Sequence, residues 1–368
     1  MYYLDQPIVG REEKKYLSQC IRTGWISSQG PFVKKFEKKF AKYVGVKYAI
    51  SCASGTSAIS LLFQTLKLNK GDEVIMPALT FSADGYALMQ SGAKLIFADT
   101  YPGSFCINIE DVLKKITKKT KLIFPTHLYG FPSDIGRLKK ICFKNKIYLV
   151  EDCSQAIGSI FKKKKIGSFG DLNIHSFHNK LIASGEGGMI TTNNRKLAKR
   201  FELLKTPPSV NRPEEMGGFK EISLNHRMSN LHAAVGLAQL ERLEKNIKKK
   251  NEMAKIYNKI FEKTDKIIVI KPKKNERVVY WRYTILLSKK VNLEKFIFSC
   301  KKEGIVVRKT YLPLHLHPVF KIQKKLNLPN CEQISKSGVD IPSGINLNKK
   351  DFNIIGNKIL NLVEKLAK

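Results

Sequence analysis

Lys180 lies in the segment of the chain whose residue types and spacing are most suggestive of chemistry. It follows Ser176 and His178 and precedes a flexible turn of three glycines and a glutamate at 185–188. Lysine occupies 55 of the 368 positions, so the surroundings of this lysine matter more than its identity. A lysine amine in such a place forms a Schiff base with an aldehyde cofactor.

A carboxylate and an aromatic ring precede this lysine at the ends of apolar runs. Asp152 closes the run at 147–152, and Phe81 follows the run at 73–77. A carboxylate in such a position keeps a pyridine nitrogen protonated, and an aromatic ring stacks on the pyridine. Taken alone, Asp152 is more simply explained as a helix cap.

Small and hydroxylated residues at 53–57 open a helical pattern after the apolar run at 48–52. Free backbone N–H groups at a helix start bind phosphate, although Ser-Gly-Thr is also an ordinary cap. An amine, a carboxylate, an aromatic ring and a phosphate cradle are together what pyridoxal 5′-phosphate (PLP) requires. The residues therefore predict PLP as the cofactor.

Short apolar runs alternate with helical patterns from about residue 45 onward. The predicted strands lie at 48–52, 73–77, 94–99, 121–125 and 147–152, and helical spacing is clear at 56–66 and 134–143. This alternation predicts βαβ units and a largely parallel sheet that is covered on both faces. Ligands bind beyond the carboxyl ends of such strands, which is where Phe81 and Asp152 stand.

The pattern changes after residue 230. The sequence predicts one long helix at 230–261, strands at 281–287 and 304–312, and a closing helix at 350–367. These elements predict a large α/β domain with an N-terminal arm at 1–250 and a smaller α+β domain at 251–368.

Composition restricts the class of protein. Hydrophobic residues form 43% and charged residues 26% of the chain, as in ordinary globular proteins. The net charge of +35 comes from lysines spread over the whole chain, without an arginine and aromatic stripe, so no nucleic-acid partner is predicted. Seven scattered cysteines without a C-x-x-C pair predict no metal site. No segment has the character of a signal peptide or a membrane span, so a cytoplasmic location is expected.

Eight segments stand in a characteristic order along nearly the whole chain. They are TGWISSQGPFVKKFE (23–37), ASGTSA (53–58), PALTF (77–81), FPTHLYG (124–130), VEDCSQAIG (150–158), SFHNKLIASGEGGMITT (176–192), LNHRMSNLHAAVGLAQLERL (224–243) and YLPLHLHPVF (311–320). With these segments the chain resembles the DegT/DnrJ/EryC1/StrS family of nucleotide-sugar aminotransferases, and especially its perosamine-synthase branch. The resemblance implies the PLP-dependent transferase fold of type I, like that of aspartate aminotransferase, with a mixed, mostly parallel sheet in the large domain.

The resemblance also implies roles for individual residues. Lys180 matches the catalytic Schiff-base lysine. The positions that match contacts to PLP are Gly55, Thr56, Ser57, Phe81, Asp152, Gln155, Ser176 and Asn225. Asn225 resembles an asparagine that reaches the phosphate from the neighbouring subunit, which implies a homodimer with shared active sites. The positions in segments that surround the sugar nucleotide are Trp25, His178, Arg227, Tyr311 and His315. Arg227 is equally well explained as a structural or interface ion-pair residue, and His315 as a packing histidine.

The lysine loop departs from the family pattern. The family has the spacing S-F-x-x-x-K, whereas here only Asn179 separates His178 from Lys180. Counted backward from the glycine-rich turn, Lys180 stands where the lysine belongs. The shortening therefore falls in the loop before it, where it is able to move Ser176 away from the phosphate.

The function that the resemblance implies is transfer of an amino group from an amino acid, L-glutamate, to the 4-keto carbon of a nucleotide-linked 4-keto-6-deoxy sugar. The product would serve surface-polysaccharide or glycan biosynthesis. One alternative is a PLP-dependent sugar dehydratase of the same fold, in which histidine replaces the lysine; Lys180 argues against it, and the neighbouring His178 leaves it open. The other alternative is a catalytically silent basic binding protein on this fold.

Overall fold

The computed structural model describes residues 1–207, 222–320 and 326–367. Three sheets organise the described chain. Its strands are β1 Tyr48–Cys52, β2 Glu73–Pro77, β3 Lys94–Ala98, β4 Thr120–Ile123, β5 Tyr148–Asp152, β6 Ile160–Phe161, β7 Lys164–Lys165, β8 Leu172–Ser176, β9 Gly188–Thr192, β10 Ile267–Val269, β11 Glu276–Arg277, β12 Tyr283–Leu287, β13 Arg308–Lys309 and β14 Gly338–Ile341. The five strands predicted before residue 153 are confirmed, with bounds that differ by at most two residues.

The main sheet has seven strands in the order β1-β9-β8-β5-β4-β2-β3. The five strands from β8 to β3 in this order are parallel to one another. At the other edge, β9 pairs antiparallel with β8, and β1 pairs antiparallel with β9. Strands that are covered on both faces read as continuous apolar runs, and all five residues of β2 are buried. The predicted α/β fold with a mixed, mostly parallel sheet is confirmed.

Helices cover the faces of this sheet and continue into the second half of the chain. They are α1 Arg11–Thr23, α2 Pro31–Val44, α3 Gly55–Ser60, α4 Leu62–Leu66, α5 Ser82–Gln90, α6 Ile109–Lys115, α7 Ile135–Asn145, α8 Arg195–Leu204, α9 Asn230–Glu241, α10 Leu243–Phe261, α11 Leu293–Lys302, α12 Pro329–Ser337 and α13 Lys349–Leu366. The closing helix α13 is confirmed, and it buries Phe352, Ile355, Ile359 and Val363 on one face.

The prediction of one long helix at 230–261 is wrong. The helical pattern divides into α9 and α10 at Arg242, whose backbone has φ −107° and ψ 7°. The Arg242 guanidinium pairs at 2.5 Å with the carboxylate of Glu13, a buried residue of α1. A contact between distant segments therefore accompanies the break, and helical periodicity carries no signal for it.

The predicted strand at 304–312 is also largely wrong, because only Arg308 and Lys309 pair with β14. Beyond them the chain leaves the sheet and turns toward the first half of the protein. The backbone N–H of Leu314 donates to the carbonyl of Ala78 at 2.7 Å. The apolar residues at 304–312 therefore lead from the small sheet to the first half of the protein, and most of them do not form a strand.

The second half of the chain forms a smaller, four-stranded antiparallel sheet in the order β10-β12-β14-β13. The first residues of the chain pack here, since Tyr2 exchanges backbone hydrogen bonds with Gly304 and Val306. One hydrophobic cluster includes residues on both sides of position 250, and α10 crosses that position. The division into domains at 1–250 and 251–368 therefore stays a prediction.

Among the described residues, no helix combines the length and the apolarity that crossing a bilayer requires. The cytoplasmic location stays a prediction.

A cluster of aromatic rings joins α2 to the loop that carries Lys180. Phe36 and Phe40 of α2 are fully buried, and their ring centroids lie 5.1 Å and 5.5 Å from that of Phe177. Phe177 follows β8 directly and stands three residues before Lys180. Packing of α2 against the sheet therefore fixes the start of the lysine loop.

We expect Phe40→Ala to lower the free energy of unfolding by about 3–5 kcal/mol, because it empties a fully buried site. Phe143→Ala is the matched control, since this ring is 88% exposed, and it should change the stability by less than about 0.5 kcal/mol. Denaturant titration of both variants measures the difference. Equal effects of the two substitutions would contradict the role given to this cluster.

Candidate active site

A cavity of about 250 Å³ lies where β5 and β8 end and where the segment after β2 begins its helix. It is lined by Ser54, Gly55, Thr56, Ile59, Phe81, Ala83, Asp84, Asp152, Ser154, Gln155, Ser176, His178, Lys180 and Glu186. Eight of these residues are among those that the sequence singles out. The carboxyl edge of the sheet thus brings together segments that are far apart in the chain.

Lys180 projects its amine into this cavity beneath an aromatic ring. Its Nζ lies 3.6 Å from the ring centroid of Trp281 and 6.0 Å from that of Phe81. Burial lowers the pKa of the Lys180 ammonium to about 8; the positive charges of Arg282 and Arg308 act in the same direction, while Asp152 and Asp84 oppose it. A larger share of the amine is therefore neutral near pH 7, and the neutral amine is the form that attacks a carbonyl.

Asp152 presents a buried carboxylate at the last position of β5, with 3% of its surface exposed. Its Oδ1 accepts a hydrogen bond from the backbone N–H of Ser154 at 2.9 Å. Its backbone is held on both sides, since it forms a parallel bridge with Thr126 and pairs with Ile174 of β8. The carboxylate is therefore fixed in the cavity by the sheet itself.

The start of α3 and the end of β8 form the opposite wall. A Cβ at Gly55 would lie 2.9 Å from the Cβ of Ser176, closer than real side chains approach, so only glycine fits. Ser54 caps the helix by accepting from the N–H of Ser57 at 3.0 Å, and Ser57 itself does not line the cavity. Thr56 and Ser176 do line it, which leaves a narrow cradle of small and hydroxylated residues.

The shortened loop before Lys180 does not remove Ser176 from the cavity. Asn179 absorbs the change with a left-handed backbone, φ 43°, which asparagine adopts more readily than most residues. Its carbonyl accepts from the indole N–H of Trp281 at 3.1 Å. The loop is thus tied to the second half of the chain, and that half also supplies the ring above Lys180.

Phe81, Gln155 and Tyr311 lie together at the side of the cavity. Phe81 is 48% exposed and meets the Tyr311 ring edge-on at 5.9 Å between centroids. Gln155 accepts from the backbone N–H of Tyr129 at 2.9 Å and donates to the Tyr311 hydroxyl at 3.4 Å. Burial raises the pKa of Tyr311 to about 12, so its hydroxyl stays protonated at neutral pH. Tyr129 holds this arrangement with a left-handed backbone of φ 55°.

His178 stands at the mouth of the cavity, where its Nδ1 lies 3.0 Å from the carboxylate of Glu186. Both side chains are largely exposed, and both face the solvent side of the site. His178 is therefore placed to contact a molecule entering the cavity, and it is two residues away from the position of the lysine in the chain.

Six of the residues singled out as substrate or cofactor contacts do not line the cavity of this chain: Ser57, Trp25, Asn225, Arg227, Tyr311 and His315. Trp25 is 49% exposed, and Asn225 is exposed and accepts from the Arg227 guanidinium at 3.0 Å. His315 pairs with Glu332 at 3.2 Å, which agrees with the alternative of a packing histidine. The segment of Asn225 nevertheless passes close to the site, since the N–H of Ala53 donates to the carbonyl of His226 at 2.8 Å.

Two residues of the site were missed by sequence reasoning. Asp84 lines the cavity from the first turn of α5, and Trp281 covers Lys180. Asp84 follows Phe81 by three residues, so an acidic residue in an otherwise apolar and small segment was the available signal. Trp281 lies about 100 residues from Lys180 in the chain, and nothing in its own segment indicates the contact.

A second group of chemically capable side chains is closed to ligands. His127, Glu151 and Cys153 are buried together near the end of β5. The His127 Nδ1 accepts from the N–H of Ser133 at 3.0 Å, so its Nε2 carries the proton and donates to Glu151 at 3.0 Å. Glu151 also accepts from the N–H groups of Phe169 and Gly170. These hydrogen bonds give the His127 and Glu151 side chains partners inside the protein, so the group has a structural role.

The residues of the cavity fit PLP. The amine of Lys180 has a lowered pKa, and the buried carboxylate of Asp152 is the partner that a pyridinium nitrogen requires. Gly55 has no side chain, so the cradle keeps open the space beside Ser176 that any larger residue would fill. Phe81 offers a partly exposed ring at the cavity wall.

Comparisons with known proteins agree with this geometry. The sequence model of the DegT/DnrJ/EryC1/StrS aminotransferase family matches residues 7–360. GDP-perosamine synthase of Vibrio cholerae is 35% identical over 342 residues, covering 92% of each chain. PseC of Helicobacter pylori, an aminotransferase involved in the biosynthesis of pseudoaminic acid, superposes with a TM-score of 0.94 at 25% identity over 99% of each chain.

The PLP form of the putative sugar aminotransferase Spr1654 from Streptococcus pneumoniae superposes with a TM-score of 0.91 at 24% identity, again over 99% of each chain. The fold of the whole described chain is therefore that of PLP-dependent aminotransferases. With its family match, its relatives and its lysine cavity, the chain belongs to the DegT/DnrJ/EryC1/StrS aminotransferase family and is a PLP-dependent sugar aminotransferase.

Proposed function

We propose that this aminotransferase moves the amino group of L-glutamate to the 4-keto carbon of a nucleotide-linked 4-keto-6-deoxy sugar, with GDP as the nucleotide. The observation that carries the proposal is the similarity to GDP-perosamine synthase of Vibrio cholerae over 92% of both chains. The product would enter the synthesis of a surface polysaccharide or glycan.

Lys180 has two tasks in the proposed reaction. When bound, PLP supplies an aldehyde carbon and an aromatic ring that accepts electron density. Lys180 would be the residue that anchors the cofactor through its amine. While not bonded to the cofactor, the same amine would act in the cavity as the base that takes up and returns the proton at C4 of the sugar. Its pKa of about 8 suits both directions of this transfer near neutral pH.

Asp152 has an electrostatic task. Its carboxylate, fixed by the N–H of Ser154, is the acceptor for a protonated ring nitrogen. A fixed and almost fully buried negative charge keeps that nitrogen protonated more strongly than the same charge at the surface would. The positive ring nitrogen is what allows the ring to accept electron density.

In this proposal the nucleotide lies outside the cavity. About 250 Å³ accommodates the cofactor and the reacting end of the sugar, so the rest of a nucleotide sugar must extend past the mouth. His178 and Tyr311 are nearest to that path, and Trp25, Arg227 and His315 stay predicted contacts in more distant segments. The net charge of +35 favours approach of the anionic diphosphate.

A homodimer with shared sites is part of the proposal. Asn225 is exposed in this chain and does not line the chain's own cavity, as expected for a residue that serves a neighbouring subunit. Large apolar side chains are also exposed on nearby segments, with Ile222 at 78% and Leu224 at 51%. Such surfaces are typical of protein interfaces.

The dehydratase alternative has less support. A histidine in place of the lysine defines that reaction, and here the amine of Lys180 occupies the cavity while His178 pairs with Glu186 at its mouth. The alternative of a catalytically silent binding protein has no support from the cavity. Each position of the cavity that the cofactor needs carries a suitable residue.

The purified protein, incubated with PLP, glutamate and a panel of nucleotide-linked keto-sugars, should form 2-oxoglutarate fastest with the GDP-linked 4-keto-6-deoxy sugar. Lys180→Ala should reduce the rate by at least about a thousandfold, because it removes both the covalent anchor and the base. Lys140→Ala, a change at an exposed position of α7, is the control and should retain the full rate. Preference for a UDP- or dTDP-linked sugar would overturn the choice of nucleotide.

The rate at which the apo-protein bonds to PLP should rise with pH and level off above about pH 8. Below the lowered pKa of Lys180 the amine is protonated and cannot attack, and above it the neutral form dominates. Stopped-flow absorbance measures the rate, and the same experiment on Lys180→Ala subtracts the reaction of surface lysines. A midpoint near the ordinary lysine value of about 10.4 would contradict the effect of burial.

Mixing two inactive variants tests the shared site. Lys180→Ala and Asn225→Ala should each lose activity, whereas subunit exchange between them should restore about one quarter of the wild-type rate, because half of the dimers then contain one intact site. Analytical ultracentrifugation of each variant confirms the dimer. No recovery from mixtures that do exchange subunits would place Asn225 in the site of its own chain.

A further inference from the structure

A second carboxyl group, that of Asp84, lies beside Asp152 in the same cavity. Asp84 is the third residue of α5 and is 4% exposed. Its Oδ2 accepts from the hydroxyl of Thr80 at 2.5 Å and is 3.3 Å from the hydroxyl of Thr126. The two threonine hydroxyls are themselves 3.0 Å apart, so they form a short chain of hydrogen bonds that ends on this oxygen.

Asp84 and Asp152 line the same cavity, and Thr126 contacts both: its hydroxyl lies 3.3 Å from the Asp84 Oδ2, and its backbone forms a parallel bridge with Asp152. Two neighbouring carboxyl groups can share a hydrogen bond only when one of them is protonated, because an ionised carboxylate has no proton to donate. Burial raises the pKa of Asp84 well above its usual value, and the negative charge of Asp152 raises it further. Both effects favour the neutral form of Asp84.

The other titratable side chains that line the cavity are Lys180, His178 and Glu186. His178 and Glu186 pair with each other at the mouth. Lys180 faces both carboxyl groups, and each of them raises its pKa. From the segments after β2 and β4, Thr80 and Thr126 present hydroxyl groups, which do not titrate in this range.

We propose that Asp84 is a positioning residue that stays a neutral carboxylic acid and donates a hydrogen bond to Asp152. The hydroxyls of Thr80 and Thr126 occupy its Oδ2, which leaves Oδ1 to carry the proton. The N–H of Ser154 and the acid of Asp84 then hold the carboxylate of Asp152 from two sides. Its remaining lone pairs would then be free to accept from the ring nitrogen of the cofactor.

The neutral state of Asp84 also matters for Lys180. A second negative charge in the cavity stabilises the ammonium form of the amine and raises its pKa, so a neutral Asp84 leaves the Lys180 pKa lower than an ionised one does. A protonated Asp84 therefore donates a hydrogen bond to Asp152 without raising the pKa of Lys180, and the Lys180 amine stays reactive. This inference rests on the PLP cofactor, and it depends on neither the amino donor nor the sugar.

The apo-protein reports the proton on Asp84 directly. A carboxyl group with a raised pKa makes the folded wild type lose stability as pH rises from about 4 through that raised value. Asp84→Asn keeps the shape and a donor for Asp152 but cannot ionise, so it escapes this loss. The melting temperature of Asp84→Asn should match that of the wild type near pH 4 and exceed it by at least about 2 °C at pH 8.

Cofactor binding reports the hydrogen bond to Asp152. In a Lys180→Ala background, which removes the covalent link, equilibrium dialysis gives the Kd for PLP. Asp84→Ala should raise this Kd by about tenfold or more, because a hydrogen bond to a charged group is lost, whereas Asp84→Asn should raise it less than about threefold. Rescue by the amide distinguishes donation to Asp152 from a purely steric role.

Asp99→Asn is the matched control, since Asp99 is a buried carboxylate outside the cavity that accepts from the N–H groups of Asn330 and Cys331. It should leave the Kd for PLP unchanged. A difference in melting temperature between Asp84→Asn and the wild type that stays constant with pH would overturn the proposal. So would a Kd for Asp84→Ala equal to that of its Lys180→Ala parent.

Discussion

The burial of an amine and two carboxyl groups in one small cavity is the constraint on which the site depends. Asp84 and Asp152 are almost fully buried, so their neighbours largely set the free energy of each charge. Burial lowers the pKa of Lys180 to about 8 although two carboxyl groups oppose it. Burial likewise raises the pKa of Asp84, and the nearby Asp152 adds to the effect. The three groups therefore act as one electrostatic unit, and a change to any of them alters the others.

The fold supplies the rigidity that such a unit requires. Asp152 is the last residue of a central strand, Asp84 sits in the first turn of α5, and Phe177 anchors the lysine loop against α2. Two residues, Tyr129 and Asn179, hold left-handed backbones next to the cavity. Strained positions of this kind persist where the surrounding packing leaves no alternative. Here they orient Gln155 and the loop that ends at Lys180.

Much of the fold and part of the site could be predicted from the sequence. Continuous apolar runs indicated the buried parallel strands, because strands covered on both faces have no polar alternation. Lys180, Asp152 and Phe81 stood out because they follow such runs and supply groups that one cofactor needs. The strand at 304–312 and the unbroken helix at 230–261 were wrong, since local patterns do not report that Leu314 binds Ala78 or that Arg242 binds Glu13.

The sequence by itself determined the buried apolar strands in the first half of the chain and which amine is flanked by a suitable loop. Only the tertiary structure decided that Trp281 covers Lys180 and that Asp84 and Asp152 line the same cavity. The physical reason is that hydrophobic periodicity is a local property of neighbouring residues, whereas a pKa depends on charges and burial contributed by segments far apart in the chain. An aspartate in the first turn of a helix looks like an ordinary helix-stabilising residue until its partner across the cavity is known.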